Sequence, residues 1–233
     1  MVIDGTDAAA ARALGRTTGI VYLLFFLTAA AGVAFTAQAG VGGPPGAARD
    51  VSKLLAHQEA FRVGFGLTLV STACYVAVTG LLYRLLRPVS ASTALVAAML
   101  SVMGLAVQTA GSVFQVTPLV LEGSGVPQWQ SLALVFLNLD RPFEQTGLVF
   151  DGLWLLLLGW LIWRATFLPR ALGAALALAG LGWEVYLVPP LAARISLPVQ
   201  VAGFLAEAAL MLWLVVAGVN AERWRDANVA SGS

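Results

Sequence analysis

The chain has 233 residues, of which 59% are hydrophobic and only 11% charged, with a mean hydropathy of +0.86 and a formal net charge of +1. Soluble domains carry about 25% charged residues, so this composition excludes an ordinary soluble protein and points to an integral membrane protein. The charge balance gives no basic surface for nucleic acid. A single cysteine, Cys74 in an apolar run, excludes an intrachain disulfide and reads as a buried thiol.

A hydrocarbon core about 30 Å thick takes roughly 20 apolar helical residues to cross. Arg12 and Arg16 precede the first apolar run, and "AQAG" at 37–40 mimics a signal-peptide cleavage site. The run is long enough to span, so it is read as a retained helix. Candidate spans follow at about 17–38, 63–86, 93–121, 143–163, 169–188 and 198–220. The third is long and is expected to tilt or to project from the bilayer. "QWQSLALVFL", just before the fourth, reads as a separate short helix at the interface.

Lys and Arg set the orientation. With both termini inside, the inner side holds Arg12, Arg16, Arg84, Arg87, Arg164, Arg170, Arg223 and Arg225, and the outer side Arg49, Lys53, Arg62, Arg141 and Arg194. The expected fold class is therefore all-α: a polytopic membrane bundle of about six spans plus the interfacial helix, N-in and C-in. Its parts are a tail at 1–16, one transmembrane domain at 17–220 and a tail at 221–233, in a multi-pass protein of the cell membrane.

The acids are unevenly placed on this topology. Asp50, Glu59, Glu122, Asp140, Glu144, Asp151, Glu184 and Glu207 all fall in outer loops or outer half-spans. Asp140, Glu144 and Asp151 are spaced by 4 and 7 residues, so they project within about 40° of one another on one helix. Trp154 continues that stripe inward. Asp140 also suits an N-cap, with Pro142 in the first turn, and Glu144 suits the positive end of the helix dipole. Asp151 lies two turns further in, where an acid costs roughly 2.5–3.5 kcal/mol to insert.

Glu184 lies between Trp183 and Tyr186 in "GWEVYL", and reads either as a site acid or as a carboxylate reaching the interface. Glu207, in "VAGFLAEAALMLWLV", is either a site acid or a protonated acid bonded to another helix. Glu59 is placed to pair with Arg62 at (i, i+3). The rings near these acids are Phe143, Phe150, Trp154, Trp183, Tyr186 and Trp213; their faces attract cations, and outer Trp and Tyr are also ordinary interfacial anchors.

Several chemistries lack their motifs. No Gly-rich phosphate loop, "GxSxG" or "DDxxD" occurs, and no Cys/His cluster has metal-ligand spacing. His57 is a loop or interface histidine, and no metal or cofactor is expected.

The stretches "RTTGIVYLLFFLTAAAGV", "HQEAFRVGFGLTLVSTACYVAVTGLLYRLLRPVS", "FDGLWLLLLGWLIWRATFLPRALGAALALAGLGW" and "GFLAEAALMLWLVVAGVN" resemble a bacterial family of polytopic membrane proteins catalogued as domain-of-unknown-function four-three-eight-six. "LYRLLRPVS" and "LPRALG" are the more specific parts. The resemblance implies a six-span helical fold and no settled activity. It implies family acids at Glu59 and Glu207 and a family base at Arg62; Asp151 and the acid in "GWEVYL" depart from it. In size, span number and scattered carboxylates, the chain is also similar to small integral-membrane terpene cyclases.

Carboxyl groups crowded into one apolar pocket hold a proton near neutral pH, as a general acid must. The expected function is thus a membrane-embedded, metal-independent, proton-initiated isoprenoid (terpene) cyclase or isomerase. Asp151 or Glu207 would donate to an alkene or epoxide. Asp140, Glu144, Glu184 and Glu59 would complete the acid–base set, and the rings would face the carbocation. The partners expected are an oily substrate entering from the bilayer and the lipids themselves. The alternative is a proton-coupled carrier or a lipid- or small-molecule-binding protein.

Overall fold

In the computed structural model, residues 4–41 and 48–231 are described. They form helices α1 (Asp4–Gln38), α2 (Val51–Ala56), α3 (Gln58–Leu86), α4 (Ala91–Ser112), α5 (Thr117–Leu121), α6 (Trp129–Arg164), α7 (Arg170–Trp183), α8 (Pro189–Val216) and α9 (Ala221–Ser231). Residues 42–47, the Gly-Pro part of the expected first outer loop, lie outside the described residues. The segments expected as tails are helical where described: α1 begins well before residue 17, and α9 docks on the bundle through a bond from Trp224 Nε1 to the Leu85 carbonyl, 2.8 Å.

Six helices close a ring in the order α1, α3, α4, α6, α7, α8 and back to α1. Five helical stretches have the length and apolarity of a span: Ala9–Gln38, Gln58–Leu86, Ala91–Leu121, Trp129–Arg164 and Pro189–Val216. The outward faces are apolar and uncovered, with Leu27, Leu205, Val216 and Leu178 more than half exposed. This is the surface of a protein that faces lipid rather than water. The chain is a multi-pass membrane protein.

The remaining pass, expected at 169–188, is α7. It has 14 helical residues and ends in a 3-10 turn, Glu184–Leu187. At 1.5 Å per residue its α-helical part covers about 21 Å, so it falls short of a full span. The turn that finishes it faces the interior of the ring.

Three expected boundaries move. The interfacial helix and the fourth span are one 36-residue helix, α6, that runs through Pro142. Proline removes one backbone donor, the one that the Asn138 carbonyl would accept from; the neighbouring Leu137 carbonyl accepts from the Arg49 guanidinium. Asp140 is consequently a mid-helix residue and not an N-cap. The long third span is broken at Val113–Val116, a 3-10 stretch leading into α5 with Pro118 in its first turn. The last span starts earlier than 198 and carries Pro198 within it.

Small residues set how closely the helices approach, which suits association in lipid, where burial of apolar surface gives little drive. A methyl group on Gly159 would lie 2.6 Å from the Gly173 carbonyl oxygen, and one on Gly180 would lie 2.6 Å from that of Gly152. These two contacts form the α6–α7 seam. On the other side of α6, Gly104 and Gly147 face each other across the seam with α4. The bundle therefore draws tight around α6, and the acids of α6 are carried into its interior.

Candidate functional site

At the end of the ring opposite α9, the helices part around a cavity of about 560 Å³. Its wall is polar. Thr36 comes from α1, Thr68 and Thr72 from α3, Gln108, Thr109 and Ser112 from α4, and Gln115 from the 3-10 stretch. Asp140, Arg141, Glu144 and Gln145 come from α6, Tyr186 from the turn after α7, and Ser196 and Gln200 from α8. Arg49, just before α2, closes the wall. The charged lining, Arg49, Arg141, Asp140 and Glu144, is balanced in sign.

Asp140 organises this wall. Its Oδ2 accepts from Arg49 Nη2 at 2.7 Å and from Gln115 Nε2 at 2.8 Å. Both charged side chains are buried, at 7% and 6% exposure. Arg49 also donates to the Leu137 carbonyl, so one guanidinium ties the loop before α2 to α6 at two points. A buried ion pair is held best when further hydrogen bonds support it, and here Gln115 gives the carboxylate a second donor and Leu137 gives the guanidinium a second acceptor. On the far wall, Gln200 Nε2 donates to the Tyr186 hydroxyl at 2.7 Å.

One to two helical turns further in, the walls on α3, α6 and α8 change. From Thr72 to Tyr75, Leu148 to Asp151 and Trp154, and Gln200 to Glu207, the lining gives way to a buried floor. Glu207 Oε2 accepts from the hydroxyls of Tyr22 and of Tyr75, the latter at 2.8 Å, and Trp154 Nε1 donates to the Tyr75 hydroxyl at 3.2 Å. The four side chains come from α8, α1, α3 and α6, and none exceeds 6% exposure. They tie four sides of the ring together at one carboxyl.

Asp151 stands between wall and floor. Its Oδ2 accepts from Gln108 Nε2 at 2.6 Å, and Gln108 itself lines the cavity. Its Oδ1 is buried and has no hydrogen-bond partner among the described residues. Only a glycine opposite makes room for it: a methyl group on Gly104 would sit 2.5 Å from that oxygen.

The six acids singled out in the sequence thus occupy four different places. Asp140 and Glu144 line the cavity, and Asp151 and Glu207 lie at its floor. Glu184 packs against Gly152, with Oε1 buried and without a hydrogen-bond partner among the described residues. Glu59 is on the surface, 3.8 Å from Arg62. Of the rings, Tyr186 lines the cavity and Trp154 belongs to the floor. Phe143 tilts against Phe114 at 5.5 Å, Phe150 packs toward Gly104, Trp183 lies edge-on to Phe204 at 6.2 Å, and Trp213 is 41% exposed.

Sequence reading passed over Arg49, Gln108, Gln115, Gln200, Tyr22 and Tyr75. A signal for several of them was present. Thr68, Thr72 and Tyr75 repeat at i, i+4, i+7 along an apolar span, as do Gln108, Ser112 and Gln115. A polar stripe at helical spacing inside a span faces protein or water, not lipid. Among the described residues, no group of three or more His, Cys, Asp or Glu side chains is arranged to hold a metal ion.

The family described as domain of unknown function (DUF4386) matches residues 17–218. The chain belongs to this family. The match covers all six helices of the ring, the cavity wall and the Glu207 floor, so in this DUF4386 protein the site is built wholly from the family domain, whose description assigns no activity. Comparisons with curated proteins and with solved structures give no match.

Proposed function

We propose that this protein is a small-molecule-binding protein of the cell membrane, a carrier or receptor, whose chamber takes a neutral or zwitterionic molecule rich in hydrogen-bonding groups. The observation that carries this reading is the chamber lining. Small-molecule sites generally run from about 300 to 1,000 Å³ and use a few placed polar groups in an apolar wall. Here the cavity is of that size, and amides, hydroxyls and paired charges from every side stand among apolar residues such as Val33, Leu69, Leu105 and Leu148. Polar side chains inside a lipid-embedded bundle are costly unless they serve a ligand, an ion path or one another. Balanced charge favours a ligand without net charge. The floor of Tyr22, Tyr75, Trp154 and Glu207 closes the way toward α9, which suits a carrier caught open at one end, or a receptor.

The test is ligand retention by the purified protein in detergent, read by native mass spectrometry against a panel of amino acids, betaines, polyols and sugars. The reading expects at least one of them to be retained, with affinity falling about tenfold or more in Gln108→Leu and Gln200→Leu. Each substitution removes a polar contact of the wall, and a lost hydrogen bond to a buried partner costs roughly 1–3 kcal/mol. A panel without any retained compound, or retention indifferent to both substitutions, sinks it.

Acid-initiated cyclisation of an isoprenoid is the second reading, and one observation favours it: the unpartnered Oδ1 of Asp151 at the cavity floor. A protonated carboxyl there could donate to an alkene. The polar part of the wall is the reason it comes second, since a hydrocarbon chain would cover the remaining donors and acceptors of these amides and hydroxyls without adding a partner for them. Incubation of membranes with linear isoprenoid alcohols and epoxides separates the two. Cyclic products that vanish in Asp151→Asn would reverse the order of the readings.

A further inference from the structure

A second cavity, of about 680 Å³, lies at the opposite end of the bundle, where the α3–α4 and α6–α7 connections meet α9. Pro88, Trp163, Arg164, Arg170, Ala227 and Ala230 are among its lining, and the lining contains no carboxylate. Among the described residues, neither Arg164 nor Arg170 forms an ion pair with an acid. The acid of α9 that does form a pair, Asp226, is engaged by Arg225 at 3.5 Å. Among the described residues, therefore, two guanidinium groups share a groove that no carboxylate lines.

The direction of Arg164 separates this groove from an ordinary arginine-rich helix end. An arginine at the end of a span usually reaches outward to water. Arg164 instead folds back along α6, its Cζ lying 4.9 Å from the centre of the Trp160 ring. Trp160 is one turn closer to the middle of the span, and it is 40% exposed on the lipid-facing surface, with Trp163 50% exposed beside it. The cation–π contact thus holds a positive charge at the depth of the indole belt, where lipid headgroups meet acyl chains.

We propose that this groove binds the phosphate of an anionic phospholipid headgroup, with Arg164 and Arg170 as its ligands and Trp163 against the glycerol and upper acyl region. Arginine presents planar donors that match phosphate oxygens in pairs. Basic pockets between membrane helices select anionic lipids by this chemistry. The site stands apart from the polar chamber and does not depend on what that chamber binds.

The experiment uses the full-length protein in detergent, titrated with phosphatidylglycerol or phosphatidylcholine and read as lipid adducts by native mass spectrometry. Phosphatidylglycerol should be retained at least fivefold more than phosphatidylcholine. The double variant Arg164→Gln/Arg170→Gln should lose that preference, whereas Arg62→Gln, at the other end of the bundle, should keep it. The charge-retaining pair Arg164→Lys/Arg170→Lys provides a second measure should the glutamine pair fail to fold, with the preference reduced but present. Inorganic phosphate added in excess separates the sources: it should displace little of the lipid if the indole and acyl contacts contribute. Equal retention of the two lipids, a preference untouched in the glutamine pair or lost in the lysine pair, or full displacement by phosphate overturns the proposal.

Discussion

At the α9 end, the ring is filled by Leu82 and Leu85 of α3, Leu158 and Ile162 of α6, Leu176 of α7 and Leu210 and Leu214 of α8, all fully buried. At the other end, the same helices present Thr68, Thr72, Gln108, Asp140, Glu144 and Gln200 around an open cavity. Two ends built from the same six helices thus show that neither helix packing nor insertion requires the polar one. Leucines and facing glycines already hold the bundle together. The polar end brings the added expense of a buried ion pair, an unpartnered carboxyl oxygen and a proline within α6. Such features persist where a site needs them. The leucine-packed core lies at one end, and the chamber proposed for a small molecule lies at the other.

The sharpest way to break this contrast is to disturb the Arg49–Asp140 pair. Asp140→Ala leaves a guanidinium at 7% exposure without its partner, and removing one member of a buried pair typically costs about 3–5 kcal/mol. Thermal unfolding in detergent should register the largest loss of any substitution considered. The double variant Arg49→Met/Asp140→Leu should recover most of it, because apolar pairs often replace buried ion pairs at little cost. Ligand retention should not recover with it. If stability and binding return together, the two ends are not divided as described.

The glycine seam tests the other half of the comparison. Gly159→Ala places a methyl group 2.6 Å from the Gly173 carbonyl oxygen, against backbone that cannot yield easily. Overpacking of this kind costs about 1–3 kcal/mol and should lower the melting temperature while leaving the chamber's ligand preference unchanged. Glu207→Ala should cost a similar or smaller amount, about 1–3 kcal/mol, by depriving the Tyr22 and Tyr75 hydroxyls of their shared acceptor. Glu207→Gln keeps an acceptor oxygen and should recover more than half of the loss. A glutamine variant as unstable as the alanine would mean that the carboxyl itself, and not an acceptor, holds the floor.

The helices were legible in the sequence because an apolar run of span length has few other solutions, and the stripe of Asp140, Glu144 and Asp151 was legible because α-helical geometry is local. That stripe does face the interior: Asp140 meets Gln115 and Asp151 meets Gln108 across the α4 seam. What was not legible was the partner of each acid. Arg49 reaches Asp140 from a loop 91 residues away in sequence, and Tyr22 reaches Glu207 from 185 residues away. Only ring closure brings these groups together, and no periodicity within a single helix encodes which helices become neighbours. The shape of the gathering differed for the same reason. An oily chamber lined by acids was expected, but the hydroxyls and amides on the facing helices were counted as ordinary span residues.

The smallest effect separates a surface acid from the site acids. Glu59 and Arg62 lie 3.8 Å apart, with side chains 88% and 61% exposed. An ion pair so open to solvent is screened and typically contributes about 0–1 kcal/mol. Glu59→Gln should therefore leave the melting temperature within error, and added salt should not alter the comparison with wild type. It should also leave ligand retention intact, since Glu59 lines neither cavity. A clear loss of binding in this variant would mean that the surface around His57 and Glu59 joins the chamber in the ligand-bound protein. The boundary between site and surface would then have to be drawn one helical turn further out than the cavity wall places it.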